Sequence, residues 1–150
     1  MSASPRAGRD AGLGARLEEL GRSLGAREAP HRAGLDEARA CAESLRERIQ
    51  QALTRFHRGA AEAGAPHLCV ELSELRTDDK HLRAVEFDLI RGGHKAIVTA
   101  KSRGEVTLVG PFRSGKPEGP CLSFPFDAEA ELESALGDFL ERFLEEAATP

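Results

Sequence analysis

Tryptophan and tyrosine are both absent from this 150-residue chain, which leaves seven phenylalanines as its large aromatic side chains. Surfaces that bind single-stranded nucleic acid usually stack bases on such rings, so that mode of binding is poorly provided for. Cysteine is scarce too. Cys41, Cys69 and Cys121 are odd in number, widely separated and without motif spacing, which argues against a disulfide framework and fits reduced thiols in a cytoplasmic protein. No apolar run approaches the roughly 18 residues needed to cross a bilayer. The opening stretch, MSASPRAGRDAGLG, has no apolar core of a secretory leader. A basic excess is also missing: net charge is −4 and the isoelectric point is near 5.8. There is no overall drive toward nucleic acid or an anionic membrane. These absences together lead us to expect a cytoplasmic protein that is not membrane-bound.

Charge is present but uneven. Residues 1–60 hold 11 arginines and 8 acids, whereas residues 127–150 hold Arg142 alone against 8 acids. Solvated helix faces account for most of this segregation.

What the chain does contain is a strand pairing written into its own turns. Gly92-Gly93 separates two alternating runs, RAVEFDLI and KAIVTAK, as a two-residue hairpin turn does. Folding about it sets Leu89 opposite Ala96, Phe87 opposite Val98 and Val85 opposite Ala100, all apolar and all on one face. The next turn, Ser102-Arg103-Gly104, sets Ala100 opposite Val106 and Val98 opposite Leu108 on that same face. On the reverse face it sets Lys101 opposite Glu105 and Thr99 opposite Thr107. Two independent turns agree on one register, which predicts a half-buried antiparallel meander.

Around the meander the pattern is helical. Residues 1–12 have nothing to bury and are expected to be a disordered tail. Leu13, Leu17, Leu20 and Leu24 form an amphipathic stripe, but Gly14, Gly21 and Gly25 interrupt it at about 1 kcal/mol each. The resulting helix, assigned with its flanks to residues 13–30, is marginal alone and is expected to end at Ala29-Pro30. Residues 31–150 are read as a single α+β domain.

Its first element is a long helix from Leu35 to Ala63, with Leu35, Ala42, Ile49, Phe56 and Ala63 recurring every seventh residue. At about 1.5 Å per residue it spans roughly 43 Å, against about 23 Å for a seven-residue strand. Its excess must project, pack on the leucine-striped helix, or meet another chain. Arg39, Arg46, Arg48 and Arg55 flank this seam and would repel one another in a parallel self-pair. They complement an acidic helix, so both helices are expected on one sheet face.

A first strand is expected at 67–74, a polar turn at 77–80 and a nine-residue loop from Pro111 to Gly119. An edge strand follows, in which Leu122, Phe124 and Phe126 alternate and Pro120 and Pro125 suit only an edge. Asp127 is expected to cap the last helix, whose apolar face carries Leu132, Leu136, Phe139, Leu140, Phe143 and Leu144. The expectation is a two-layer α+β domain: long helix, antiparallel sheet of about five strands, and C-terminal amphipathic helix.

Motifs with chemistry fare poorly. Gly110-Pro-Phe-Arg-Ser-Gly115-Lys116 fits the phosphate-loop pattern G-x-x-x-x-G-K. However, Pro117 stands where Ser or Thr must reach Mg²⁺, and a strand rather than a helix is expected next. No nucleotide is expected. His67 and Cys69 share a strand face, with His81 or His94 as conceivable further ligands, but tight metal spacing is lacking. Cys121, His94 and Asp88 assemble a nucleophilic triad only on paper. No catalytic residue, metal or cofactor is expected.

Two surfaces remain. One hairpin turn and the 111–119 loop emerge at the same end of the sheet and gather Arg91, His94, Lys95, Arg113 and Lys116. That cluster suits an anion, although Glu141, Glu145 and Glu146 of the last helix are expected to meet it. On the reverse sheet face, Ile90, Ile97, Thr99, Thr107 and Val109 make a partly apolar patch suited to a partner. The functional expectation is a non-enzymatic binding or adaptor protein, homodimeric through this sheet face or through the overhanging helix. The alternative is nucleic-acid binding through the Arg-rich helix and the basic loop end, disfavoured by charge and by the missing aromatics.

Overall fold

Phe87, Val98 and Leu108 stand side by side across three neighbouring strands, each with at most 1% of its surface exposed. This row lies at the centre of a computed structural model that describes residues 5–78, 83–113, 115 and 119–148. The strands are β3 (Ala84–Arg91), β4 (His94–Lys101) and β5 (Glu105–Arg113). Their pairing follows the alternation: Val85 faces Ala100, Leu89 faces Ala96, and Ala100 faces Val106. Thr99 faces Thr107 and Lys101 faces Glu105 on the other side. The sheet is antiparallel, in the order β1 (Glu71–Leu72), β3, β4, β5, β6 (Cys121–Pro125), with β2 (Arg76–Thr77) also pairing β3.

Two places depart from regular alternation, each through one extra residue. The expected strand at 67–74 is instead β1 (Glu71–Leu72) and β2 (Arg76–Thr77), both paired to β3. Between them three residues oppose two, so the edge bulges. Ser73 explains the break: its hydroxyl accepts the Asp88 N–H at 2.8 Å, and its own N–H donates to the Asp88 carbonyl. Thr77, expected in a turn, is therefore in a strand; Asp79 and Lys80 lie outside the described residues.

The second bulge falls at Gly110-Pro111. Ile97 faces Val109, but Lys95 faces Phe112. The expected loop start is thus corrected: β5 continues to Arg113 because Gly110, at φ 108°, absorbs the extra residue where a side chain would be strained.

The second and third helices form one layer over the sheet. α1 (Pro5–Arg27) begins eight residues before Leu13 and is joined to α2 (Ala29–Glu62) by Glu28 alone. Pro30 opens α2 rather than only closing α1, since a missing N–H costs nothing in a first turn. Ala38, Ala42, Leu45, Ile49 and Leu53 of α2 are buried. Leu132, Leu136, Phe139 and Phe143 of α3 (Glu129–Ala148) are buried with Leu45, Ile49 and Leu53 in one core over the sheet, while Ala38 and Ala42 pack with Val85 and Ala100 in a smaller second cluster. Each of these leucines, isoleucines and phenylalanines, fully buried, contributes roughly 1.5–3 kcal/mol. α3 starts two residues beyond Asp127.

α2 lies over β3 and β4, and α3 over β4 and β5. Gly34 abuts Ser102, and the Phe126 N–H donates to the Gly104 carbonyl, so both helices start at the same end of the sheet. Arg48 and Glu133 form an ion pair between them, the complementarity expected of the Arg-rich flank.

Candidate functional site

The reverse face of the sheet carries charge as well as aliphatic surface. Glu86 and Asp88 alternate along β3 with core residues and so point away from the helices. Arg76 of β2 lies opposite Glu86 and forks across both acids. Its Nε donates to Glu86 at 2.9 Å and its Nη2 to Asp88 at 2.7 Å. Lys95 Nζ approaches the second Asp88 oxygen at 3.2 Å. The Asp88 side chain is only 8% exposed, so its charge is held by two cations largely out of water. The same carboxylate raises the Arg76 guanidinium above its ordinary value. Thr99 donates to Glu86, while Thr107 shares a hydrogen bond with Ser123 of β6 (Cys121–Pro125).

The residues expected to meet a partner are placed accordingly. Ile97 and Val109 are direct cross-strand neighbours, but Ile90 faces Lys95. Ile90, Ile97, Thr99 and Val109 are half-buried and Thr107 is buried. The ionic network thus interrupts the aliphatic patch, and its hydroxyls are already bonded within the sheet.

The basic end does not converge either. Arg91 and Lys95 leave on opposite faces, because Arg91 faces His94 whereas Lys95 faces Ile90. Arg91 works within the fold: Nε donates to the Ala147 carbonyl at 3.1 Å, and Nη1 to the His67 carbonyl at 2.8 Å. It thereby caps the last turn of α3, where a cation is favourable. Arg113 faces His94, and the two line a cavity of about 400 Å³ together with Glu146. Glu146, itself paired with Arg142 at 3.2 Å, therefore stands beside two of the residues read as an anion site, His94 and Arg113. Lys116 lies outside the described residues, as does His81.

Side chains that looked chemical on paper are separate in space. Asp88, Ile97, Val109 and Cys121 form one row across four strands, which separates Asp88 from Cys121 by about 14 Å. Cys69 donates to the Pro66 carbonyl, and His57 Nε2 accepts the Val70 N–H at 3.0 Å. Burial pushes the Cys41 thiol up, with Arg48 opposing in part. A raised thiol holds less thiolate at neutral pH. Among the described residues, no group of three or more His, Cys, Asp or Glu could hold a metal. No helix among them is long and apolar enough to cross a membrane.

The exposed apolar surface lies elsewhere. Leu13, Leu17, Leu20 and Leu24 on α1 are 47–57% exposed, and Leu122 on β6 is 55% exposed. Leu122 faces Leu108 and so belongs to the helix-bearing face of the sheet. α3 stops short of it, leaving a groove of about 180 Å³ floored by Leu108, Leu122, Ala135 and Phe139. The sequence pattern placed Leu122 in an edge strand, alternating with Phe124 and Phe126. The signal that it is not covered was its place on the last strand of a sheet with two docked helices. Arg76 was missed because it falls between the strand expected at 67–74 and the turn expected at 77–80.

Compared with known protein families, curated proteins and solved structures, the chain matches none. The functional reading therefore rests on geometry.

Proposed function

We propose that this protein is a non-enzymatic binding module that acts through protein–protein contacts and self-associates, with α1 as its recognition element. The observation that carries this is the leucine stripe of α1, about half exposed along its length. A helix holding Gly12, Gly14, Gly21 and Gly25 gains little from propensity and draws its stability from a docked apolar face. The open sheet face is the lesser candidate, since charged pairs cross it.

Nucleic-acid binding loses support from the engagement of the arginines meant to carry it. Arg39 bonds Thr77, Arg46 bonds the Ser73 carbonyl and Arg48 pairs with Glu133. Salt-sensitive retention on DNA or RNA would restore that alternative.

Light scattering at micromolar concentration tests the proposal. The wild type should have the mass of a dimer, and Leu17→Glu/Leu20→Glu that of a monomer with unchanged circular dichroism outside α1. A dimer that survives this double substitution but dissociates with Ile97→Glu would move the contact to the sheet face. A wild-type monomer would end the self-association reading.

A further inference from the structure

The helical layer is about one strand narrower than the sheet beneath it. Strands lie about 4.8 Å apart and packed helices about 10 Å apart, so two helices cover roughly four strands. α2 and α3 sit over β3, β4 and β5, and the β6 edge is left with Leu122 in the open. Its cross-strand partner Leu108 is 1% exposed. The groove there, about 180 Å³, falls below the roughly 300–1,000 Å³ of small-molecule sites. It is on the scale of aliphatic side chains entering from a helix.

We propose that α1 of one copy lays its leucine stripe into the α3–β6 groove of a second copy, reciprocally, as the third helix of that layer. This rests on the reading of α1 given above and names the surface that receives it. Among the described residues, the large hydrophobics left exposed are the four α1 leucines and Leu122. One set is convex and the other lies in a groove. Charge agrees: α1 holds five arginines against three acids, and α3 holds seven acids against Arg142. Asp138 and Arg142 both line the groove, so the match lies in the acidic excess of α3 as a whole rather than in the groove lining itself.

The tether is why the occupant is a second copy. α1 is rooted at Glu28, which lies 3.6 Å from Arg83 at the start of β3. The adjoining turn of α2 abuts Ser102. From β3 to β6 is three strand spacings, about 14 Å, whereas Leu24 is only four residues from the root, about 6 Å along the helix. With a single residue joining the helices, α1 cannot lay its whole stripe along its own β6. A second copy has no such restriction.

Complementation distinguishes this arrangement from other α1 contacts. Leu17→Glu/Leu20→Glu damages the helix and leaves the groove intact. Leu122→Arg damages the groove and leaves the helix intact, and Asp138→Arg on the exposed rim serves as a second groove variant that cannot disturb the core. Sedimentation of each alone should show dimer affinity weakened by about tenfold or more. An equimolar mixture of a helix variant with a groove variant should recover a heterodimer, because one undamaged helix then meets one undamaged groove.

If both groove variants dimerise like the wild type while the helix variant does not, the groove is overturned and the α1 reading stands. A mixture that stays monomeric overturns the reciprocal exchange. A wild-type monomer overturns this proposal and the self-association reading together.

Discussion

Arg76 Nη2 lies 2.7 Å from Asp88 Oδ1, joining a two-residue edge strand to the middle of β3 across an open sheet face. Lys95 holds the other oxygen of Asp88. Removing one cation leaves the carboxylate with the second, so Arg76→Ala should cost about 1–3 kcal/mol, as for other charged hydrogen bonds. Arg76→Ala/Lys95→Ala should cost more than the sum of the single changes, because it strands a charge held largely out of water. Urea denaturation of the double-mutant cycle measures this. Simple additivity would mean that water, rather than the second cation, satisfies Asp88.

Register is tested one strand over. Val98 has no exposed surface and sits between Phe87 and Leu108. Val98→Asp should cost several kcal/mol, about 4 or more, by burying an unpaired charge. Thr99, one residue along, points to the open face and donates to Glu86. Thr99→Asp loses that bond and adds repulsion, yet water reaches it, so the cost should be far smaller. Equal effects on thermal denaturation would contradict the pairing.

How far the sequence revealed this structure depends on what sets each feature. The β3–β5 register was readable because turn residues and apolar alternation are both local and agree. The edge was not, since its break depends on Ser73 bonding Asp88, fifteen residues away. The one local hint was Leu72 and Leu75 packing on the same core at a spacing of three rather than two or four. The reverse-face patch was legible in its members, Ile90, Ile97 and Val109. Its interruption was not, because Arg76 lies between the strand and the turn expected there. Likewise the leucine stripe of α1 was plain, whereas a vacant seat over β6 emerges only once two helices are placed on the sheet.

Glycines in the long helix give a test with opposite signs. Gly34 and Gly59 both lie in α2, where alanine is ordinarily better by about 1 kcal/mol. A Cβ on Gly59 would meet nothing within 4 Å, so Gly59→Ala should stabilise by about that amount. A Cβ on Gly34 would collide with the Ser102 carbonyl, part of the β4–β5 turn. Gly34→Ala should therefore destabilise by about 1–3 kcal/mol as helix and turn are pushed apart. Thermal melts of the two variants should move in opposite directions. A Gly34→Ala protein as stable as Gly59→Ala would show that α2 does not approach that turn so closely.

The same turn carries a pH signature. Arg103 donates to Glu105 at 2.6 Å and Lys101 lies 3.4 Å from it. Arg103's hydrogen bond, chiefly, holds the Glu105 carboxyl below its ordinary value of 4.5, with burial opposing and Lys101 assisting. Folding thus favours the ionised carboxylate. Its contribution to stability is complete above the unfolded-state value and is lost as pH falls through the lower folded-state value. Nothing should change between neutral pH and pH 6 on this account. Carboxyl carbon NMR should find the Glu105 midpoint below 4.5, and Arg103→Ala should move it upward. The group is solvated and its partners are screened, so the shift should shrink as salt is added. A Glu105 midpoint indifferent to both Arg103→Ala and salt would place the guanidinium away from the carboxylate.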